Sequence, residues 1–399
     1  MSVRNREQID NTELKRPKNI LWLIIAVLVV FIFCILAWRF AFYRSPQEQL
    51  SAFNAASAVP DSENAAIIYN QLFEDYNESD LNPASLTPVI AEITKSGPWS
   101  SRDYPELAKW LEQNQDIIAK LLQASKYEKC FFPITNMNLI MSQLAAMRQL
   151  VFTLIRAADN DFAEGRTDQA LEKYLGCIRI GRHFRQQPLA IEFLVGIAIE
   201  ALGTQKIRYL IMYEDITAEQ MKTTETILPD TKFEFEKYWD EMLYAENLFS
   251  RTVAKSQNVS NLLVRLREWW ANLARPDPAL ARVKEIYLRL LVDRQGSQIL
   301  VALRHYKNKT GKWPEKLEEI KPFLTSEDIL VDPQNKGSFV YRLKDDGFIL
   351  YSTGLNKIDE NGQRKSPADD WLIWPLQIPK AETQNTKANQ ADPNQEPKR

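Results

Sequence analysis

Two histidines, two carboxylates inside an apolar stretch and a run of arginines are the residues that could do chemistry in this chain. His183 and His305 are the only histidines among 399 residues. Two imidazoles exclude a histidine-rich zinc site and leave a Ser-His-Asp triad just two possible bases. No G-x-S-x-G, H-E-x-x-H, P-loop or G-x-G-x-x-G occurs. His183 sits among Arg179, Arg182 and Arg185, whose charges disfavour its protonation. That helix reads as a solvated surface pairing with nearby acids; an anion-binding face is the sharper alternative. His305 stands near a helix end, where it could interact with the dipole. Glu192 and Glu200 lie within the apolar stretch 189–202. Eight residues separate them, about 80° around a helix and about 12 Å along it. Such a pair could act as the acid and base of a glycosidase; the plainer expectation puts each at a rim, paired to Arg or Lys. The adjacent Trp269 and Trp270 could stack on sugars, although packing between helices accounts for them as well.

The elements that would position these groups are mostly helical. Only 12 residues are glycine, against 20 prolines, which argues against a turn-rich barrel or sandwich. Ser45 followed by Pro46 is a helix start. Helices are expected at 46–57, 62–77 and 104–125, then at 137–163. Gly165 ends that helix in a left-handed cap, and Thr167 caps the next, which runs to about 186. Pro188 opens another, and further helices are expected at 217–228, 232–256, 258–273 and 278–309. Ala170, Tyr174 and Cys177 occupy the small, aromatic and small offsets of a tetratricopeptide hairpin, which this unit resembles. Asp161 departs from that pattern, where an aromatic is expected, and no second copy follows at a 34-residue period. Beyond Gly311 the character changes. Phe339–Leu343 and Phe348–Tyr351 read as two strands joined at Asp345-Asp346-Gly347, after an Asp332-Pro333 turn.

Residues 20–38 carry no charge and nearly span the hydrocarbon core of a bilayer as a helix. Arg4, Arg6, Lys15, Arg16 and Lys18 precede the run, whereas only Arg39 and Arg44 follow it closely. The positive-inside bias then leaves residues 1–18 in the cytoplasm, 19–43 as an uncleaved signal anchor and the bulk beyond the membrane. Trp38-Arg39-Phe40 is a poor cleavage site. No later stretch is expected to span. The exported part has 43 basic and 49 acidic residues, which points to neither nucleic acid nor anionic lipid. Cys34 lies in the apolar run, so only Cys130 and Cys177 could pair.

From about Asp293 to Pro375 the chain resembles the globular part of the major pseudopilin of type II secretion. The matching features are His305-Tyr306, Thr310-Gly311-Lys312-Trp313-Pro314, Asp332-Pro333, Tyr341-Arg342, Leu350-Tyr351-Ser352, Gly354, and the acidic loop closing at Asp369-Asp370 and Trp374. The resemblance implies that this final loop folds around a calcium ion. Asn356, Asp359, Asn361, Asp369 and Asp370 offer oxygens of the required kind. Asn356 replaces an Asp of the family, and residues 360–367 replace a Gly-rich stretch. The prepilin processing site is absent. More widely, Asn64-Ala65-Ala66, Tyr69, Cys130-Phe131-Phe132-Pro133 and the segment from Arg182-His183 to Ala201 resemble uncharacterised single-pass bacterial envelope proteins.

The expected protein is mainly α. It has an N-terminal transmembrane helix, a helical-hairpin ectodomain (45–277), a long helix with a small α/β pseudopilin-like module (278–378) and a disordered tail (379–399). Its expected role is non-catalytic interaction with a protein partner in the bacterial envelope, at the outer face of the inner membrane. A carboxylate-based carbohydrate or peptidoglycan hydrolase and a component of a type II secretion-like system are the alternatives.

Overall fold

The computed structural model describes residues 28, 31, 44–75, 81, 83–213, 216–230, 233–256 and 278–376. The stretch expected to span a membrane (apart from Leu28 and Phe31), the helix expected at 258–273, Trp269-Trp270 and the tail at 379–399 lie outside them.

Helix α1 (Pro46–Ala56) starts at a reciprocal cap, in which the Glu48 N–H donates to Ser45 Oγ and the Ser45 N–H donates to Glu48 Oε2. Helices α2 (Ala66–Glu74) and α3 (Thr87–Ser96) follow. The stretch expected as one helix at 104–125 is two, α4 (Pro105–Gln113) and α5 (Gln115–Ser125). Asn114 breaks it by turning its amide onto the Trp110 carbonyl. Helix α6 (Met137–Ala163) has the expected bounds, and Gly165 turns the chain at φ 76° into α7 (Thr167–Arg185). Thr167 is the first residue of α7 rather than its cap. Helix α8 (Ala190–Met212) returns along α7, and α9 (Ala218–Ile227) and α10 (Phe235–Ser256) lead to the long α11 (Pro278–Thr310). Short 3-10 turns at Leu317–Phe323 and Glu327–Leu330 come next. An antiparallel sheet closes the fold: β1 (Val340–Lys344), β2 (Gly347–Ser352) and β3 (Trp371–Trp374), in that order. The two strands of the hairpin were legible; β3, four residues beyond a long loop, was not.

The fold is thus mainly helical with one small sheet. Among the described residues one helix, α6, is long and apolar enough to cross a bilayer. It is a core helix instead. Leu144, Met147, Leu150, Leu154 and Ala158 are buried against its neighbours, and Asp159, Asn160 and Asp161 at its end are engaged by partners on α7 and α8 and in the loop before α4.

Cys130 and Cys177 are both buried and unpaired as thiols. The Cys130-Phe131-Phe132-Pro133 connector runs extended between two side-chain amides. Asn64 Oδ1 accepts the Phe131 N–H at 3.0 Å, and Asn64 Nδ2 donates to the Phe131 carbonyl at 3.1 Å. Gln187 Oε1 accepts the Phe132 N–H, and its Nε2 donates to the Cys130 carbonyl, both at 2.9 Å. The two amides stand in for neighbouring strands and satisfy backbone groups that burial would otherwise orphan. The segments singled out at Asn64–Tyr69, Cys130–Pro133 and Arg182–Pro188 therefore meet in one place.

Candidate functional site

Helices α7 and α8 cross with no room for a side chain between them. A Cβ on Gly196 would lie 2.1 Å from the Arg185 nitrogen, and one on Gly181 would lie 2.5 Å from that of Glu200. This approach sets Arg185 beside Glu200 in the core, where they are 0% and 1% exposed. Glu200 Oε2 accepts Arg185 Nε at 3.0 Å; Oε1 accepts Arg294 Nη2 at 2.7 Å and Arg182 Nε at 3.2 Å. Asp230 binds Arg185 as well, with Arg294 3.5 Å away. Arg182 also donates to the Ile227 and Leu228 carbonyls at the end of α9. Phe233 stacks on the Arg185 guanidinium at 3.9 Å. Burial alone would raise the Glu200 pKa, but Arg294, Arg185 and Arg182 outweigh it and hold it near 2. A carboxylate with three guanidiniums on its two oxygens has no lone pair aimed at a substrate. Glu200 is therefore a core clamp, not a rim residue.

Glu192 is also buried, at the start of α8. Its Oε2 accepts the Leu189 N–H at 3.2 Å, while Glu246 of α10 accepts the Ala190 N–H at 2.7 Å. Burial, with the Glu246 charge adding to it, raises the Glu192 pKa to about 8. Among the described residues no Arg or Lys bonds to it, contrary to the rim pairing expected. The two glutamates thus serve different ends and share no cleft.

His183 is not on a solvated surface; it is 3% exposed. Its Nε2 lies 2.9 Å from the Tyr127 carbonyl, which can only accept, so Nε2 carries the proton. Nδ1 then accepts from the Tyr69 hydroxyl at 2.9 Å. Burial, reinforced by Arg179, lowers its pKa to about 4, so it is neutral near pH 7. His305 pairs with Glu225 at 2.8 Å.

The five loop residues divide between two centres. Arg342 gathers Asp359 and Asn361, and the Tyr351 hydroxyl donates to Asp359 at 2.8 Å. Asp369 accepts the Lys365 and Ser366 N–H groups and the Ser366 hydroxyl, and Asn356 Nδ2 reaches it at 3.2 Å. Asp370 Oδ2 accepts the Gly362 N–H at 2.7 Å, whereas its buried Oδ1 has no partner. Burial, with Glu360 and Asp359 nearby, raises the Asp370 pKa to about 6. Among the described residues no group of three or more His, Cys, Asp or Glu side chains is arranged to hold a metal. The loop also docks on α11 through Trp371, whose indole N–H donates to Asp293 at 3.0 Å while Arg208 of α8 pairs with the same carboxylate.

The feature that sequence reading missed is a polar pocket of about 320 Å³ where α4 and α5 face α6 and α7. Ala108, Leu111, Glu112 and Gln115 form one wall; Ala157, Asn160, Asp161, Arg166, Gln169 and Lys173 form the other, with Ser101 at the edge. Asp161 anchors the second wall by accepting Arg166 Nε at 2.7 Å and Lys173 Nζ at 2.5 Å. Asn160 Oδ1 accepts Arg166 Nη2, and its amide donates to Ser101 Oγ. The one signal for it was Asp161, the residue that broke the hairpin's packing pattern. With both Asp161 oxygens in ion pairs, Glu112 is the single unengaged carboxylate in the pocket. Among the described residues that line the pocket there is no histidine or cysteine.

Comparison with known proteins found no matching family model, no matching curated protein and no matching solved structure.

Proposed function

We propose that the chain is a single-pass protein of the bacterial inner membrane, held by residues 19–43, whose helical body binds a partner or ligand outside the cytoplasm without transforming it. The observation that carries the binding role is the polar pocket, whose charged groups come from one hairpin and one facing helix pair. Its size falls at the low end of small-molecule and peptide-side-chain sites. The anchor rests on the uncharged run and its basic flank, and Leu28 and Phe31 within that run are exposed. The α6–α7 hairpin supports a tetratricopeptide-like unit, with Ala170, Tyr174 and Cys177 all buried. The order of α11 followed by an antiparallel sheet supports a pseudopilin-like module. The carboxylates that a hydrolase would need, Glu192 and Glu200, are spent inside the core.

A photocrosslinker placed at Gln169 of the full chain in native membranes tests this reading. We expect one discrete adduct, lost when Glu112→Arg fills the pocket, and none from a crosslinker at the exposed Lys336 of the C-terminal module. Identical adducts at both positions, or none at Gln169, would reject the pocket as the binding site.

A further inference from the structure

The chemistry of the pocket walls restricts what they can take. On the α6–α7 wall two cations, Arg166 and Lys173, face one carboxylate, Asp161, which leaves one positive charge in excess. The α4–α5 wall supplies the opposite sign through Glu112, which is exposed. The four charges sum to zero but stand on opposing sides. A simple anion or cation would pair with one wall and leave the other without a counter-charge. Lys173 is only 12% exposed and spends one N–H on Asp161, so its ammonium is held in place with donors to spare. No aromatic ring lines the pocket, which removes the stacking platform that sugars and nucleobases use. Ala108 on one wall and Ala157 on the other are small and apolar. The volume of about 320 Å³ corresponds to roughly ten waters at liquid density, or a solute of about ten heavy atoms.

We propose that this pocket takes a zwitterion of dipeptide size with small side chains, its carboxylate toward Lys173 and Arg166 and its ammonium toward Glu112. The inference rests on the binding reading above and narrows it to a ligand class. Both termini of such a ligand are read, one by each wall, and methyl side chains suit the small apolar Ala108 and Ala157.

The test is calorimetric titration of the full chain in detergent with alanyl-alanine, N-acetyl-alanyl-alanine and alanyl-alanine amide. The free dipeptide is expected to bind with a Kd of about 1 mM or tighter, in line with a ligand of that size. Each blocked form is expected to bind at least about tenfold weaker, the cost of one charge-assisted hydrogen bond. Glu112→Gln should weaken the free dipeptide about tenfold and leave the N-acetylated form unchanged, since the ammonium it reads is already gone. Lys173→Gln should do the same for the amide. Should Lys173→Gln fail to fold, the solvent-exposed Glu112→Gln still decides the question. Equal affinity for free and blocked dipeptides, or no binding up to about 50 mM, a concentration well above the Kd bound for this size, overturns the zwitterion. If Gln169 still crosslinks while no dipeptide binds, the ligand class falls and the binding site stands; if both experiments are blank, both fall.

Discussion

Glu200 and four charged partners from α7, α11 and the segment before α10 form an ion-pair cluster in the core, whereas the cluster of Asp161 and Lys173, also largely buried, reaches the edge of a pocket through Arg166, which is 41% exposed. Both centres set cations in excess of carboxylates, three to two in the first and two to one within the second wall. In the closed centre the glycine crossing brings the backbones so near that Glu200 meets the guanidiniums directly, while Arg182 also reaches the Ile227 and Leu228 carbonyls and Phe233 covers Arg185. In the open centre, the α6–α7 turn spreads the side chains and leaves donors facing outward. Burial therefore decides function: charges that the fold surrounds hold helices together, and charges that it leaves at an edge can meet a ligand.

Removing the carboxylate from the closed centre should have the largest effect. Glu200→Gln leaves three buried guanidiniums poorly compensated and should cost about 3–5 kcal/mol in denaturant unfolding. A cost below about 1 kcal/mol, the range of surface pairs, would mean that the centre is open to water.

The next effect is a pH dependence. Glu192 has a native pKa raised to about 8 against an ordinary carboxylate value when unfolded. The native state then holds a proton that the unfolded state releases. Its contribution is complete at acid pH and is lost as pH climbs toward 8, with a slope of at most about 1.4 kcal/mol per unit. Urea titrations from pH 5 to 8 should show this decline in the wild-type chain, and Glu192→Gln should flatten it. His183 runs the other way. Its native pKa near 4 lies below the free imidazole value, so its contribution is complete above about 6.5 and is lost on acidification toward 4. A His183→Gln chain should lose less stability than wild type between those two pH values.

In the open centre, Glu112→Gln should change stability by less than about 0.5 kcal/mol, since the side chain is exposed. Its effect should appear in binding alone. The smallest effect concerns the C-terminal loop, where calcium should move the melting temperature by no more than about 2 °C, because most of the loop oxygens already accept hydrogen bonds or ion pairs from their own chain. A larger rise, abolished by Asp370→Asn, would place the ion against the unpartnered Asp370 Oδ1.

Periodicity made the helices legible: α6, α9, α10 and α11 lie within a few residues of where apolar spacing put them. Local chemistry made two boundaries legible, the Ser45 cap and the turn at Gly165. Burial of polar groups was not legible. His183 and Arg185 have the composition of a solvated face, and nothing on their own helix says that other elements will cover them. The pocket was still less visible, since its residues come from segments some 60 positions apart.

Residue order alone determined the helical character, the hairpin at Gly165, the two strands expected at 339–343 and 348–351 (observed at 340–344 and 347–352) and the apolar run at 20–38, because each depends on side chains within a few positions of one another. Tertiary structure decided which charges became a clamp and which became a pocket. The reason is that desolvation depends on what packs on top of a side chain, and around Arg185 and Glu200 part of that cover comes from Asp230, Phe233 and Arg294, tens of residues further along the chain.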